Sequence, residues 1–419
     1  MWLKFDVKIP KTIVVFFIKC TGALLTVFST ILMSRYMGDE FLGEYSLSLT
    51  VASLLSVIIC FGQNVPIMNY AVNSEGNRIS GIYHSYLICF FVFIIFSPIS
   101  IVLLSTISSE LAPVFFSLLI ILSLMPLKTP LLTVKGKYLT NAIIDDFIRP
   151  LYLLVFVILI YHNDKNLTLN QSIVSLSYMS FGLLLTLFLI IYVIKSLSPF
   201  NIMEGVKVSL IIKSVKMGAG ALLITVAQLA TSQFDRFFIG FSLSVSEVGV
   251  YFKAQTIVFL INYFVQSIIL RINPQLVKLN NNKNYSSLAK VTRKYSFFSF
   301  LFSLLVASFL FLFMPVIESV FDVTEPDFSK SIYILILAQA ASMVFGFGST
   351  IMLYSNGKER TRLLMFLVFS FLVASLCWVV LIPLYGITGA ALGTSIAYIM
   401  NRFLPSLYYR KKGIRVGLI

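Results

Sequence analysis

The stretch from Ile82 to Leu104, IYHSYLICFFVFIIFSPISIVLL, contains no aspartate, glutamate, lysine or arginine. A helix needs about 20 such residues to cross a hydrocarbon core ~30 Å thick. A transmembrane β-strand would alternate apolar and polar residues, and this run does not. The stretch reads as a membrane-spanning helix.

The rest of the chain follows the same pattern. Of 419 residues, 58% are hydrophobic and only 12% charged, where a soluble domain carries roughly 25% charged residues. Mean hydropathy is +0.94. These values exclude a soluble enzyme. Apolar runs recur at 12–34, 45–68, 82–104, 113–134, 142–161, 172–194, 217–239, 250–272, 296–317, 331–354, 363–383 and 387–408. The expected fold is therefore all-α and integral to the membrane, with about 12 transmembrane helices. The first run is long and carries Lys19, so it is read as a span and not as a cleaved leader. The longest connections, 195–216 and 273–295, are basic and polar, and short surface helices are expected there.

Lysine and arginine set the expected orientation. With the N-terminus in the cytoplasm, the cytoplasmic segments hold 23 of them, against 3 on the other side (Arg35, Lys165 and Lys330). The positive-inside rule then predicts that both termini are cytoplasmic. Topology and contact with anionic lipid explain most of the +15 net charge. The basic residues are dispersed over seven segments and form no aromatic-lined patch, so a nucleic-acid partner is not expected. Cys20, Cys60, Cys89 and Cys377 fall inside spans, without metal-ligand spacing. His84 and His162 lie near span ends. No disulfide, metal or cofactor is expected.

The chain also repeats itself. Gly43-Glu44-Tyr45 opens the second span and Gly249-Val250-Tyr251 the eighth, an offset of 206. The same offset carries Lys19, Gly22, Thr26, Ser29 and Thr30 onto Thr225, Gln228, Ser232, Asp235 and Arg236, Ser56 onto Asn262, and Cys60 onto Gln266. Six spans per half is an even number, so the halves share one orientation and relate by a pseudo-two-fold along the membrane normal. The units are a six-helix lobe over 1–194, a cytoplasmic linker over 195–216, and a second six-helix lobe with a basic tail over 217–419.

Thr225, Gln228, Ser232 and Asp235 recur at helical spacing and share one face, and Gln255, Asn262 and Gln266 repeat the pattern. Lipid cannot satisfy such a face. A shared polar cavity walled by helices one, two, seven and eight is expected, lined by Thr26, Gln228, Ser232, Gln255, Asn262 and Gln266. Buried cations sharpen that expectation, because each costs at least ~2.5–3.5 kcal/mol at mid-helix. Lys19, Lys128 and Arg149 lie at similar depth, roughly 10 Å below the cytoplasmic surface. Lys128 stands between Pro126 and Pro130, where a kink is expected. Arg236, Lys253 and Arg35 form a second tier near the opposite face. Asp145 precedes Arg149 by four and could pair with it along the helix.

Arg35-Tyr36-Met37-Gly38 through Gly43-Glu44-Tyr45 to Phe61-Gly62 resembles the first hairpin of Wzx-type polysaccharide flippases of the multidrug/oligosaccharidyl-lipid/polysaccharide (MOP) exporter superfamily. Asp235-Arg236-Phe237-Phe238-Ile239-Gly240 and Glu247-Val248-Gly249-Val250-Tyr251 resemble its seventh-to-eighth-helix junction. Asn356-Gly357-Lys358 and Ile382-Pro383-Leu384-Tyr385-Gly386-Ile387-Thr388-Gly389-Ala390-Ala391 resemble its last two helices.

The resemblance implies two six-helix lobes in a V that flip an undecaprenyl-pyrophosphate-linked oligosaccharide from the inner to the outer leaflet by alternating access. It implies the cytoplasmic (inner) membrane of a bacterium, with polysaccharide polymerase and chain-length machinery as partners. The cations would meet the pyrophosphate and the amides and hydroxyls the sugars. Asp235, Asp145 and Asp146 are candidate coupling carboxylates, although an acid beside a base can simply pair. No nucleotide-binding loop of the G-x-x-x-x-G-K-[ST] type occurs. Two other readings are a multidrug exporter of the same superfamily, whose cavity should be acidic or aromatic, and a membrane polysaccharide polymerase or ligase. The latter needs an external catalytic surface that the short outer loops do not provide, so no enzyme activity is expected.

Overall fold

The computed structural model describes residues 11–72, 78–107, 112–162, 184, 188, 191, 207–323, 325–355 and 357–418. All regular structure among them is helical. Among the described residues, seven helices are long and apolar enough to cross a membrane, and a bent pair makes an eighth. Most of the sixth expected span and most of the 195–216 linker lie outside the described residues.

Helix α1 (Lys11–Cys60) carries the first two spans, divided at Gly38, whose φ of 83° leaves the helical region. α2 (Asn64–Val72), α3 (Arg78–Ile107) and α4 (Ala112–Val134) follow, and α4 runs through Pro126 and Pro130 without a break. The fifth span is not one regular helix. It is α5 (Tyr138–Ala142), a π-helical turn (Ile143–Ile148) and α6 (Arg149–His162).

In the second half, α7 (Val208–Gln233) and α8 (Asp235–Ser242) form the seventh span. α7 starts within what the sequence left to the linker. α9 (Val245–Asn281) and α10 (Tyr285–Leu312) run through the region expected to hold short surface helices, leaving only residues 282–284 as a turn. Helix propensity and apolar packing carry both spans past the polar residues, as in Leu276, Val277 and Leu288, which are buried. α11 (Met314–Phe321) follows. α12 (Pro326–Met343) and α13 (Gly348–Tyr354) meet at a 64° bend. α14 (Gly357–Lys411) holds the last two spans, divided at Gly386 with φ 57°.

Many large apolar side chains face outward, among them Phe90, Phe91, Ile94 and Ile95 of α3. A water-soluble protein rarely exposes such a surface, whereas lipid solvates it. Inside, one apolar cluster joins Met33, Leu42, Leu55, Leu119 and Phe115 with Phe252 of α9, and another joins α9, α12 and α14 around Trp378.

The halves meet along a seam dominated by α1 against α9. At one end, a Cβ on Gly43 would collide with the Val245 carbonyl, and a Cβ on Gly249 with the Asp39 carbonyl. Val245 stands 206 residues after Asp39, as Gly249 does after Gly43. Repeat-related residues therefore make reciprocal contacts, which is the signature of a two-fold relation. At the other end, Gln63 Nε2 donates to Ser214 O (3.3 Å), Tyr70 Oη lies 3.2 Å from Ser214 Oγ, and His84 Nε2 accepts the Lys207 N–H (3.0 Å).

Candidate functional site

The π-helical turn positions the inner group. Asp145 and Asp146 both lie in it, and π-helical turns are frequent at functional sites. Lys128 is 1% exposed; its Nζ sits 2.6 Å from Asp145 Oδ1 and donates to Asn141 Oδ1 at 3.1 Å. Thr129 Oγ1 donates to Met125 O (2.9 Å) and also lies 3.1 Å from Asn141 Oδ1. Lys19, also buried, pairs with Asp146, its Nζ 2.6 Å from Asp146 Oδ2. One turn further along α1, Gly22 lets the helix lie flush on the Asp146 carbonyl, where any Cβ would collide.

The sequence left Lys19 and Lys128 without a local acid. Each is in fact neutralised by the fifth span. Asp145 is engaged by Lys128 and not by Arg149, so the expected pairing along the helix is corrected. Arg149 is half-buried, and among the described residues it forms no carboxylate pair. Tyr263 of α9 lies close to Thr26, Arg149 and Asp146, which brings the opposite half to this group.

A second group sits where α8 meets α9. Asp235 is fully buried and accepts hydrogen bonds from Tyr251 Oη (2.8 Å), Gln255 Nε2 (2.8 Å), Thr394 Oγ1 (2.7 Å) and the Arg236 N–H (2.9 Å). Gln255 bridges acid and base, because its Oε1 accepts from Arg236 Nε at 2.9 Å. The Arg236 guanidinium crosses the seam to Thr50 Oγ1 (3.0 Å) and Ser46 O (3.4 Å), and lies 4.9 Å over the Phe252 ring. Lys253 also crosses the seam, with Nζ 2.7 Å from Asp39 Oδ1. Arg35 is exposed and donates to Ser319 O at 3.2 Å.

The polar register is divided. The hydroxyls of Thr26, Thr225 and Ser232 donate to Gly22 O, Ala221 O and Leu229 O of their own helices. A hydroxyl satisfied this way needs no water, so these positions do not by themselves require a cavity. Asn262 Oδ1 accepts from Gln339 of α12, a bond inside the second half. Gln228 is half-buried and Gln266 exposed.

A cavity of about 240 Å³ does lie between the halves, beside the Lys128 group. Asn64, Met68, Met125, Thr129 and Thr133 line it from one half, and Asn273 and Tyr354 from the other. Pro126 and Pro130, which flank Lys128, also line it, whereas Thr26, Gln228, Ser232, Gln255, Asn262 and Gln266 are not on its wall. Asp39, Asn141, Tyr263 and Thr394 were not singled out either, and Tyr251 stood out only as the end of the Gly249-Val250-Tyr251 repeat, without a role. The lone pointer was Asp39 beside Gly38, where the chain must turn.

Neither a protein-family model nor a curated protein matches the sequence. Solved structures do match the fold. A MATE transporter in complex with MaL6 is 14% identical, with 96% of each chain covered and a TM-score of 0.69. The outward-facing conformation of a multidrug resistance MATE family transporter of the MOP superfamily is 15% identical, covering 96% of this chain and 95% of the other, at TM-score 0.68. A MOP superfamily transporter from Pyrococcus furiosus, described as having a binding pocket of reverse polarity that suggests a different function, is 13% identical, covering 96% and 95%, at TM-score 0.69. The chain is a multi-pass all-α membrane protein that shares its fold with these transporters.

Proposed function

We propose that this protein is a MOP-type exporter that turns an undecaprenyl-pyrophosphate-linked oligosaccharide from the inner to the outer leaflet by alternating access of its two halves. The observation that carries this reading is the sign of the charge in the seam. Lys19, Lys128, Lys253 and Arg236 are buried there, each beside an aspartate (Asp146, Asp145, Asp39 and Asp235), and Arg149 and Arg402, which have no carboxylate pair among the described residues, leave the cations in excess. An anionic pyrophosphate suits such a seam, and a cationic drug does not.

Fold alone does not choose the cargo. The multidrug transporters among the fold neighbours favour a drug exporter, while the Pyrococcus protein's reversed pocket polarity illustrates that the charge of the pocket varies on this fold. Moving a negative charge outward is favourable by about 2.3 kcal/mol per charge per 100 mV of inside-negative potential, so the proposed cargo needs no nucleotide hydrolysis.

The test is reconstitution in liposomes, with a fluorescent saccharide on undecaprenyl pyrophosphate and, separately, a cationic dye. Protein-dependent movement of the lipid-linked saccharide is expected, with no export of the dye. Dye export without lipid movement overturns the reading in favour of the drug exporter.

A further inference from the structure

α14 ends at a glycine that turns the chain back on itself. Gly413 has φ 77°, its N–H donates to Arg410 O (2.9 Å), and the Ile414 N–H donates to Tyr409 O (2.9 Å). This is a Schellman ending, and its usual apolar contact is present, because Ile414 and Tyr409 belong to one buried cluster. The segment that follows, 414–418, runs to the 64° bend between α12 and α13 and not into solvent.

The bend exposes backbone groups that a continuous helix would have used. In a membrane such groups need protein partners, each unmet one costing several kcal/mol. The returning segment supplies one: the Leu418 N–H donates to Val344 O at 2.8 Å. Arg402 of α14 supplies another, donating from Nη1 to Gly346 O at 3.3 Å. Gly346 has φ 79°, and any Cβ there would collide with the Val416 carbonyl. Val416 itself is 1% exposed, packed in the cluster that holds Met343, Phe347, Ile351 and Met352 from both sides of the bend. The link between Lys412 Nζ and Glu359 Oε1 (2.6 Å) ties the start of the segment to the first turn of α14.

The far end of α13 is Tyr354, which walls the cavity between the halves. We propose that residues 414–418 form a strap that holds the bend of the tenth span and thereby fixes the position of Tyr354 in the cavity wall. The strap supplies the hydrogen bond and the apolar side chain that the bent helix lacks. Loosening it lets α13 swing relative to α12, which changes access to the cavity from a place outside it.

The test uses the full chain with Tyr354→Cys as a reporter and Cys20, Cys60, Cys89 and Cys377 replaced by alanine. The rate of maleimide labelling at position 354 is measured in proteoliposomes without cargo, so the result is independent of the transport reading. Ending the chain after Gly413, or placing a charge with Val416→Asp, is expected to raise the rate about tenfold, the response to a shift of roughly 1.4 kcal/mol in local opening. Arg415→Gln, on the exposed side of the same segment, should label like the parent. If either disruptive variant fails to insert, Val416→Ala, which trims the contact without a buried charge, carries the test with a smaller rise. Unchanged labelling in the inserted strap variants overturns the proposal. So does an equal rise in Arg415→Gln, which would trace the effect to surface charge.

Discussion

Asp145 and Asp146 are adjacent in the chain, yet each neutralises a lysine on a different helix. Asp145 holds Lys128 of α4 and Asp146 holds Lys19 of α1, both at 2.6 Å. Successive helical residues point about 100° apart, so two neighbouring acids can address two helices only if their own helix lies in the groove between them. The fifth span does so, and its π-helical turn sets the acids at that groove. The first, fourth and fifth spans are thus joined by charge at one depth.

The reciprocal glycines at the other end of the seam are open to direct test. Gly43→Ala and Gly249→Ala each place a methyl group against the opposite half's backbone. Each variant should insert normally, part the halves at that end, and lose most transport. A Ser46→Cys reporter, at a buried seam position that meets Arg236 through its backbone carbonyl, should then react faster with an impermeant maleimide. Labelling at the parent rate in both variants would show that the seam can absorb the methyl group.

The Asp235 cluster should respond asymmetrically. Thr394→Val removes one of several donors and should cost about 1 kcal/mol of stability. Asp235→Asn leaves the buried Arg236 without its nearest carboxylate, which should cost about 3–5 kcal/mol. Thermal unfolding in detergent reads both. Equal losses would mean that Arg236 draws its compensation from Thr50, Ser46 and the Phe252 ring.

How much of this was legible in the sequence follows from which forces act locally. Span length and apolar content are local, and the described helices cover the apolar runs, although α7, α9 and α10 extend well beyond them. The offset of 206 led to Gly43 and Gly249, because a glycine that opens a span is visible without a fold. Charge pairing is not local. Asp145 follows Lys128 by seventeen residues and Asp39 precedes Lys253 by far more, so no periodicity connects them. The polar hydroxyls misled in the opposite direction: they share a face, but bonding back to their own helices satisfies them. The bend at residues 344–347 was hidden because the donors that stabilise it come from Arg402 and Leu418.

Orientation is a further expectation with a simple measurement. Lys283 sits with φ 54° in the turn between α9 and α10, and Asp322 with φ 53° just after α11. Both positions are exposed, so the reagent can reach a reporter cysteine there. In intact cells, an impermeant maleimide should label position 322 at once and position 283 only after permeabilisation. Labelling at 283 in intact cells would reverse the orientation.

The inner pairs give the most informative experiment, and the structure changes what single substitutions should do. Lys128→Gln would strand Asp145 in a buried site, at a cost of about 3–5 kcal/mol, so it should lower the amount of protein in the membrane. Loss of transport in that variant alone would say nothing about cargo. The double variant Lys128→Gln with Asp145→Asn removes both charges and leaves an amide pair of similar shape, and it should restore abundance. Lys19→Gln with Asp146→Asn should do the same for the other pair. If the lysines serve only to join helices, transport per molecule returns with abundance. If they exchange their aspartates for a pyrophosphate during the cycle, transport stays low. Loss of one charge-assisted contact predicts about 1.5–3 kcal/mol, or roughly ten- to a hundred-fold in affinity. Lys128→Arg should keep both abundance and much of the transport. The measurement is surface polysaccharide restored in a deletion strain, or lipid-linked saccharide moved in liposomes, normalised to inserted protein. Full activity in both double-neutral variants would remove Lys19 and Lys128 from cargo capture and leave Arg149 as the inner cation to examine.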